Sequence, residues 1–137
     1  MNKKVIMQKA MEQAKISFGK DEIPVGCAIW LDNEIISLGR NKSIELGPTR
    51  HAEIEAIEKA YKVSKNLRDA VIFVTMEPCI MCFYAIKKSG IKNIYFSTYN
   101  DKEGFSNYLD SGDIFYQSGI LEEESKELLK RFFEGKR

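Results

Sequence analysis

The sequence predicts an α/β domain whose mixed sheet carries helices on both faces. Three observations lead there. Amphipathic helical stretches alternate with short β-branched runs along the 137 residues. Two early strands are joined by a two-residue turn, which makes them antiparallel. Later a buried strand, a short helix and another strand follow directly, and such a βαβ unit makes its strands parallel.

The elements follow in order. Residues 2–18 place Ile6, Met7, Ala10, Ala14 and Phe18 at helical spacing, with Gly19 as the expected stop. Val25 to Leu31 is an apolar strand. Asp32-Asn33 tolerates left-handed backbone angles and turns the chain into a second strand, Glu34 to Arg40. Residues 41–49 read as a loop marked by Gly47-Pro48. A second helix starts near His51, with Thr49 as its cap and Ala56, Ile57, Ala60 and Tyr61 as its apolar stripe. Ala70 to Met76 is continuously apolar, the pattern of a strand buried on both faces. Pro78 opens a third helix, which carries Lys87 and Lys88 in its last turn and ends at Gly90. Lys92 to Ser97 is a fourth strand. Residues 98–112 form a polar loop with a helical turn near Asn107 to Leu109, and Asp113 to Gln117 is a fifth strand. Leu121 to Phe133 is the last helix, with Glu122, Glu123 and Glu124 in its first turn and Leu128, Leu129, Phe132 and Phe133 as its stripe.

Length bounds the chain to one domain, residues 1–137, with one core. A net charge of +1 excludes the global basic field of a general nucleic-acid binder, leaving only local basic groups for such a partner. The N-terminus begins on an amphipathic pattern, with no signal-peptide core and no bilayer-length apolar run. A cytoplasmic protein with no membrane partner is expected. Of three cysteines, two lie three residues apart, a count and spacing that favour metal or redox use over disulfides.

The chemistry is expected in two segments, His51-Ala52-Glu53 and Pro78-Cys79-Ile80-Met81-Cys82. One histidine and two cysteines fill three tetrahedral zinc positions, and a catalytic site keeps the fourth for water. His51 is the sole histidine and Cys27 is remote in sequence, so one open position is the expected count. The start of a helix favours thiolates at Cys79 and Cys82. Glu53 is placed to take a proton from the water and pass it to the ring nitrogen while the resulting hydroxide attacks an amidine-like carbon bearing an exocyclic amine. A Cys-x-x-Cys pair alone also suits a redox pair or a structural zinc site. Cys27, inside a strand, is expected to fill the core.

His51-Ala52-Glu53 followed by Pro78-Cys79-x-x-Cys82 resembles the signature of the zinc-dependent cytidine and nucleobase deaminases. Ile23-Pro24-Val25-Gly26, Asn41, Pro48-Thr49, Val74-Thr75-x-Glu77-Pro78-Cys79 and Gly119-Ile120-Leu121…Phe132-Phe133 extend the likeness to the bacterial tRNA adenosine deaminases. The resemblance implies a three-layer α/β/α cytidine-deaminase-like fold with a five-stranded mixed sheet. It implies one zinc per chain on His51, Cys79 and Cys82, with Glu53 as proton shuttle. It also implies that Asn41 hydrogen-bonds the base, that Val25 packs on its ring and that the Ala52 backbone N–H contacts it. Homodimers are common in the family. The implied reaction is conversion of adenosine to inosine at the wobble position of a tRNA anticodon loop. Two alternatives stay open: deamination of a small free base or nucleoside (guanine, cytosine or cytidine), and a non-catalytic zinc-binding partner subunit. The sequence departs from the subfamily at Arg50, Phe83-Tyr84 and the 104–109 loop. Arg50, Lys42 and the Lys130-Arg131…Lys136-Arg137 tail are candidates for phosphate contact, and Phe105, Tyr108 and Phe133 for stacking on splayed bases.

Overall fold

The computed structural model of the chain describes residues 1–136. Arg137, counted above with the basic tail, lies outside the described residues. Five strands run in the order β2-β1-β3-β4-β5. They are β1 (Gly26–Leu31), β2 (Glu34–Arg40), β3 (Val71–Met76), β4 (Asn93–Thr98) and β5 (Phe115–Gln117). β1 is antiparallel to both β2 and β3, whereas β3-β4 and β4-β5 are parallel, so the sheet is mixed as expected. The β1-β2 turn has φ of 52° at Asp32 and 66° at Asn33, the two left-handed residues a tight hairpin needs.

Strand side chains alternate between two faces. Cys27, Ile29, Ile72, Val74, Ile94 and Phe96 pack with Ala52, Ala56, Phe83 and Ile86 of α3 (Ala52–Val63) and α4 (Ile80–Ser89). On the other face Ala28, Phe73 and Tyr95 meet Ile6, Met7 and Ala10 of α1 (Lys3–Gly19). α1 in turn packs on α5 (Glu122–Glu134) through Met11, Ala14 and Leu128. The three-layer α/β/α arrangement follows, and β3 is buried on both faces. Cys27 is buried in the first cluster, as core filler should be.

Several local expectations need correction. α1 ends at Gly19 as expected, but Gly19 is its last helical residue and the left-handed residue is Asp21, with φ of 62°. The 41–49 stretch holds a short helix, α2 (Ser43–Leu46). Thr49 does not cap α3; His51 occupies the cap position with extended angles, its imidazole turned away to other partners. Pro78 precedes the third helix rather than opening it, because Cys79 stays extended (φ −72°, ψ 174°) and bridges Gly104. The turn placed near Asn107 to Leu109 lies at Phe105–Asn107 as one turn of 3-10 helix. Tyr61 and Phe133 leave their apolar stripes and are about half exposed, while Ser125 is buried instead, its hydroxyl donating to the Thr75 carbonyl. No helix among the described residues is long and apolar enough to cross a membrane.

The topology places the site. β2 and β3 flank β1 and are each antiparallel to it, so both end at the same edge of the sheet. The segments leaving that edge are the ones that lead into α3 and α4. Gly39 on β2 lets α3 approach: a Cβ there would sit 2.2 Å from the Ala52 carbonyl oxygen.

Candidate active site

His51 caps α3 without a side-chain bond to the helix, which leaves its ring free to face the start of α4. Its Nδ1 lies 3.7 Å from Cys79 Sγ and 3.4 Å from Cys82 Sγ. Among the described residues these three form a group whose ligand atoms all lie within 4.8 Å of one another. Tetrahedral zinc with Zn–N near 2.0–2.1 Å and Zn–S near 2.3 Å requires N···S separations of about 3.6 Å. The observed 3.4 and 3.7 Å bracket that value, so the donor set fits one zinc ion.

The electrostatics divide the two cysteines. The Cys82 thiol hydrogen-bonds Cys79 and, with His51, lowers the Cys79 pKa to about 4. The same contact, together with burial, pushes Cys82 up. The His51 ring beside them has its pKa raised, chiefly by its bond to Cys79. Both cysteines sit at the positively polarised N-terminus of α4, which favours thiolates.

Glu53 lies in the first turn of α3 and is 4% exposed. Burial raises its pKa to about 7, the Cys79 charge adding to the rise and His51 opposing it. A carboxyl that exchanges its proton near neutral pH is suited to general acid–base work.

Next to the triad is an open cleft of about 440 Å³, lined by Pro48, His51, Cys79, Ile80, Met81, Glu103 and Tyr108. Of the residues singled out in the sequence for metal, catalysis or base binding, it exposes His51 and Cys79. Ala52 is fully buried behind them. Val25 is partly buried against the α3/α4 core, and its carbonyl accepts from the Asn41 N–H at 3.0 Å. Asn41 is 4% exposed; its Nδ2 donates to the Ile23 carbonyl at 3.2 Å and its Oδ1 accepts from the Ser43 N–H at 3.3 Å. Both of those contacts shape the loop that Asn41 begins.

The residues proposed for RNA divide sharply. Phe105 is fully buried and stacks on Phe83 at 4.4 Å, so it cannot stack on a base. Phe83 is therefore core, while Tyr84 is exposed next to Lys87 and Lys88. Tyr108 is 62% exposed at the cleft. Arg50 forms a two-pronged pair with Glu58 at 2.8 and 3.3 Å, and Lys42 pairs with Glu55. Lys130 is turned to Glu134 at 3.9 Å, Lys136 to Asp21, and Arg131 lies over the Phe18 ring.

Two residues of the site architecture were not singled out as such by sequence reasoning. Glu22 is 2% exposed and accepts from the Ile44 and Glu45 N–H groups at 2.9 and 2.7 Å. Glu77, also 2% exposed, accepts from the Asn100 and Ser106 N–H groups at 3.1 and 2.9 Å. Each carboxylate thus holds a loop: 41–47, which leads to His51, and 100–106, which borders the cleft. An acid between Met76 and Pro78, just past the end of a largely apolar strand, was the available signal for Glu77.

With the geometry in place, comparison with known proteins is informative. The family model for the cytidine and deoxycytidylate deaminase zinc-binding region matches residues 1–98. The chain is 42% identical to a tRNA-specific adenosine deaminase of Rickettsia felis, over 93% of this chain and 97% of that one. It is 38% identical to one of Aquifex aeolicus, over 97% and 95%. A solved structure from a study of A-to-I editing by tRNA:A34 deaminases at the wobble position superposes with a TM-score of 0.81 at 31% identity, covering 91% of this chain and 99% of the other. The cytidine-deaminase-like fold expected from the sequence is borne out.

Proposed function

Because the chain belongs to the cytidine and deoxycytidylate deaminase zinc-binding family, we propose that it is the hydrolytic deaminase that converts adenosine to inosine at the wobble position of a tRNA anticodon. The observation that carries the substrate is the near-full-length identity to tRNA-specific adenosine deaminases, combined with the His51, Cys79 and Cys82 cluster at the floor of an open cleft. The whole chain, 1–137, acts as a single deaminase domain.

His51, Cys79 and Cys82 hold the zinc. When bound, zinc would supply Lewis acidity that lowers the pKa of a water ligand into the neutral range. The chain's own residues do the remaining work. Glu53 is the proton shuttle: its carboxyl takes the water proton, delivers it to the ring nitrogen and then assists the departing ammonia. Burial, which raises its pKa, suits the carboxyl to hold and release a proton there. Val25, Asn41 and the Ala52 N–H receive the base, Asn41 with the hydrogen-bonding capacity left after its two loop contacts. Tyr108 offers a ring to a splayed base at the mouth of the cleft. The openness of the cleft supports a base presented on a polymer, which a closed pocket would exclude.

We place the enzyme in the cytoplasm as a homodimer. The exposed Tyr84 ring on α4, outside the cleft, supports a second copy covering that part of the helix. The deciding experiment supplies the zinc-loaded protein with a panel of anticodon stem-loops and a panel of free bases and nucleosides, scored by ammonia release. Inosine formed only in a folded stem-loop is the expected result. Turnover of free guanine, cytosine or cytidine with no RNA present would overturn the tRNA assignment.

A further inference from the structure

We propose that Glu77 is a positioning residue that registers the Glu103–Tyr108 wall of the cleft against the metal ligand Cys79, and so sets substrate affinity. The proposal uses the deaminase reading above for its kinetic arm only.

Glu77 is anchored at the sheet, its N–H donating to the Thr98 carbonyl at 2.8 Å where β3 and β4 end. Its two carboxylate oxygens are divided between the two sides of one loop. One accepts from the Asn100 N–H at 3.1 Å, and the other accepts from the Ser106 N–H at 2.9 Å. Gly104 lies between those points and presses on the same group: a Cβ there would sit 2.0 Å from Glu77 Oε1 and 2.5 Å from the Asn100 carbonyl oxygen. The same glycine forms the bridge to Cys79, and the Phe105 N–H donates to the Pro78 carbonyl at 3.0 Å. The carboxylate, the loop and the metal ligand are therefore joined through a few backbone contacts.

What the loop presents to the cleft is Glu103 and Tyr108. Glu103 is set by its own N–H bond to Asn100 Oδ1 at 3.1 Å, and Tyr108 by its hydroxyl donating to the Lys102 carbonyl. Both local contacts hang from Asn100 to Lys102, the side that Glu77 fixes. A shift of that side carries both side chains relative to Cys79 while leaving His51 and Cys79 at the caps of α3 and α4 and Glu53 and Cys82 on those helices. The predicted signature is a loss of substrate affinity with the chemical step preserved.

The test uses full-length, zinc-loaded protein carrying Glu77→Gln, Gly104→Ala or both. Glu77→Gln is isosteric but puts an amide N–H where an acceptor is needed; Gly104→Ala pushes the carboxylate aside. Both singles should keep about one zinc per chain, raise KM for the preferred stem-loop about tenfold or more and leave kcat within about threefold. The double variant should be no worse than the stronger single, because both changes act through one contact. Amide exchange should accelerate in residues 100–108 and not in α3. A KM within about twofold of wild type in both singles, or a fall in kcat that only follows lost zinc, would overturn the proposal. Should wild-type protein release no ammonia from any substrate, the deaminase reading fails by itself. The exchange measurement then decides: acceleration confined to 100–108 supports positioning by Glu77, and unchanged exchange overturns it.

Discussion

Glu22→Ala should lower the melting temperature by roughly 7–10 °C without touching the metal or the cleft lining. The carboxylate accepts two N–H bonds at 2.9 and 2.7 Å and is 2% exposed. Hydrogen bonds to a charged group contribute about 1.5–3 kcal/mol each. The freed donors lie in α2, whose Ile44 and Leu46 are well exposed, so water reaches them and recovers part of that loss. A net cost of about 2–3 kcal/mol remains. At about 2.1 cal/mol/K per residue, this chain has an unfolding entropy near 0.29 kcal/mol/K, which converts the cost into the stated shift. Glu22→Gln keeps one acceptor and should lose about half as much. The exposed pair Lys9–Glu12 is the control, since Glu12→Ala removes a surface contact worth about 0–1 kcal/mol. Scanning calorimetry and circular dichroism at pH 7 measure all three. A Glu22→Ala protein melting within about 2 °C of wild type would refute the assignment of Glu22 as the clamp on loop 41–47.

Glu53→Ala should retain about one zinc per chain while kcat falls by about 10²–10⁴, the usual range for a lost acid–base group; unchanged turnover contradicts its role. Cys82→Ala should lose zinc by elemental analysis, and full occupancy in that variant would remove Cys82 from the ligand set. Glu55 gives a pH prediction. Burial would raise its pKa, but Lys42, Lys59 and the Arg40 N–H together lower it. A depressed carboxylate stabilises the fold above its unfolded pKa, near 4.3, and that stabilisation is lost as pH falls through the folded value. Glu55→Gln should therefore flatten the acid limb of the stability curve below about pH 4.3, and identical limbs in wild type and variant would dismiss the pairing.

The sheet and the ligand set were legible in the sequence because each rests on a short-range signal. Continuous apolarity in Cys27 to Leu31 and in Ile72 to Val74 marks β1 and β3 as strands buried on both faces. The positive φ angles at Asp32 and Asn33 are what those two residue types permit. His51, Cys79 and Cys82 announce themselves by chemistry, since few other reasons put those types at adjoining helix starts. What was not legible depends on contacts between distant segments. Phe105 reads as a surface aromatic in a polar loop, yet it is buried because Phe83 and Tyr116 pack around it. The capping positions were misplaced because His51 and Cys79 serve the metal site in place of Thr49 and Pro78. Glu22 and Glu77 resemble ordinary surface acids until the loops they bind come into view.

The bridge between Cys79 and Gly104 has an evolutionary consequence. Backbone on that wall of the cleft has almost no freedom to drift, because it is tied to a metal ligand on one side and to a filled carboxylate on the other. Side chains leaving the same wall are held only lightly by that frame, Tyr108 through its hydroxyl on the Lys102 carbonyl, and Glu103 and Tyr108 are both exposed. A lineage can therefore exchange them one at a time and explore new substrates without refolding the loop or losing the metal. The metal cluster and the side chains on the cleft wall are thus free to change independently.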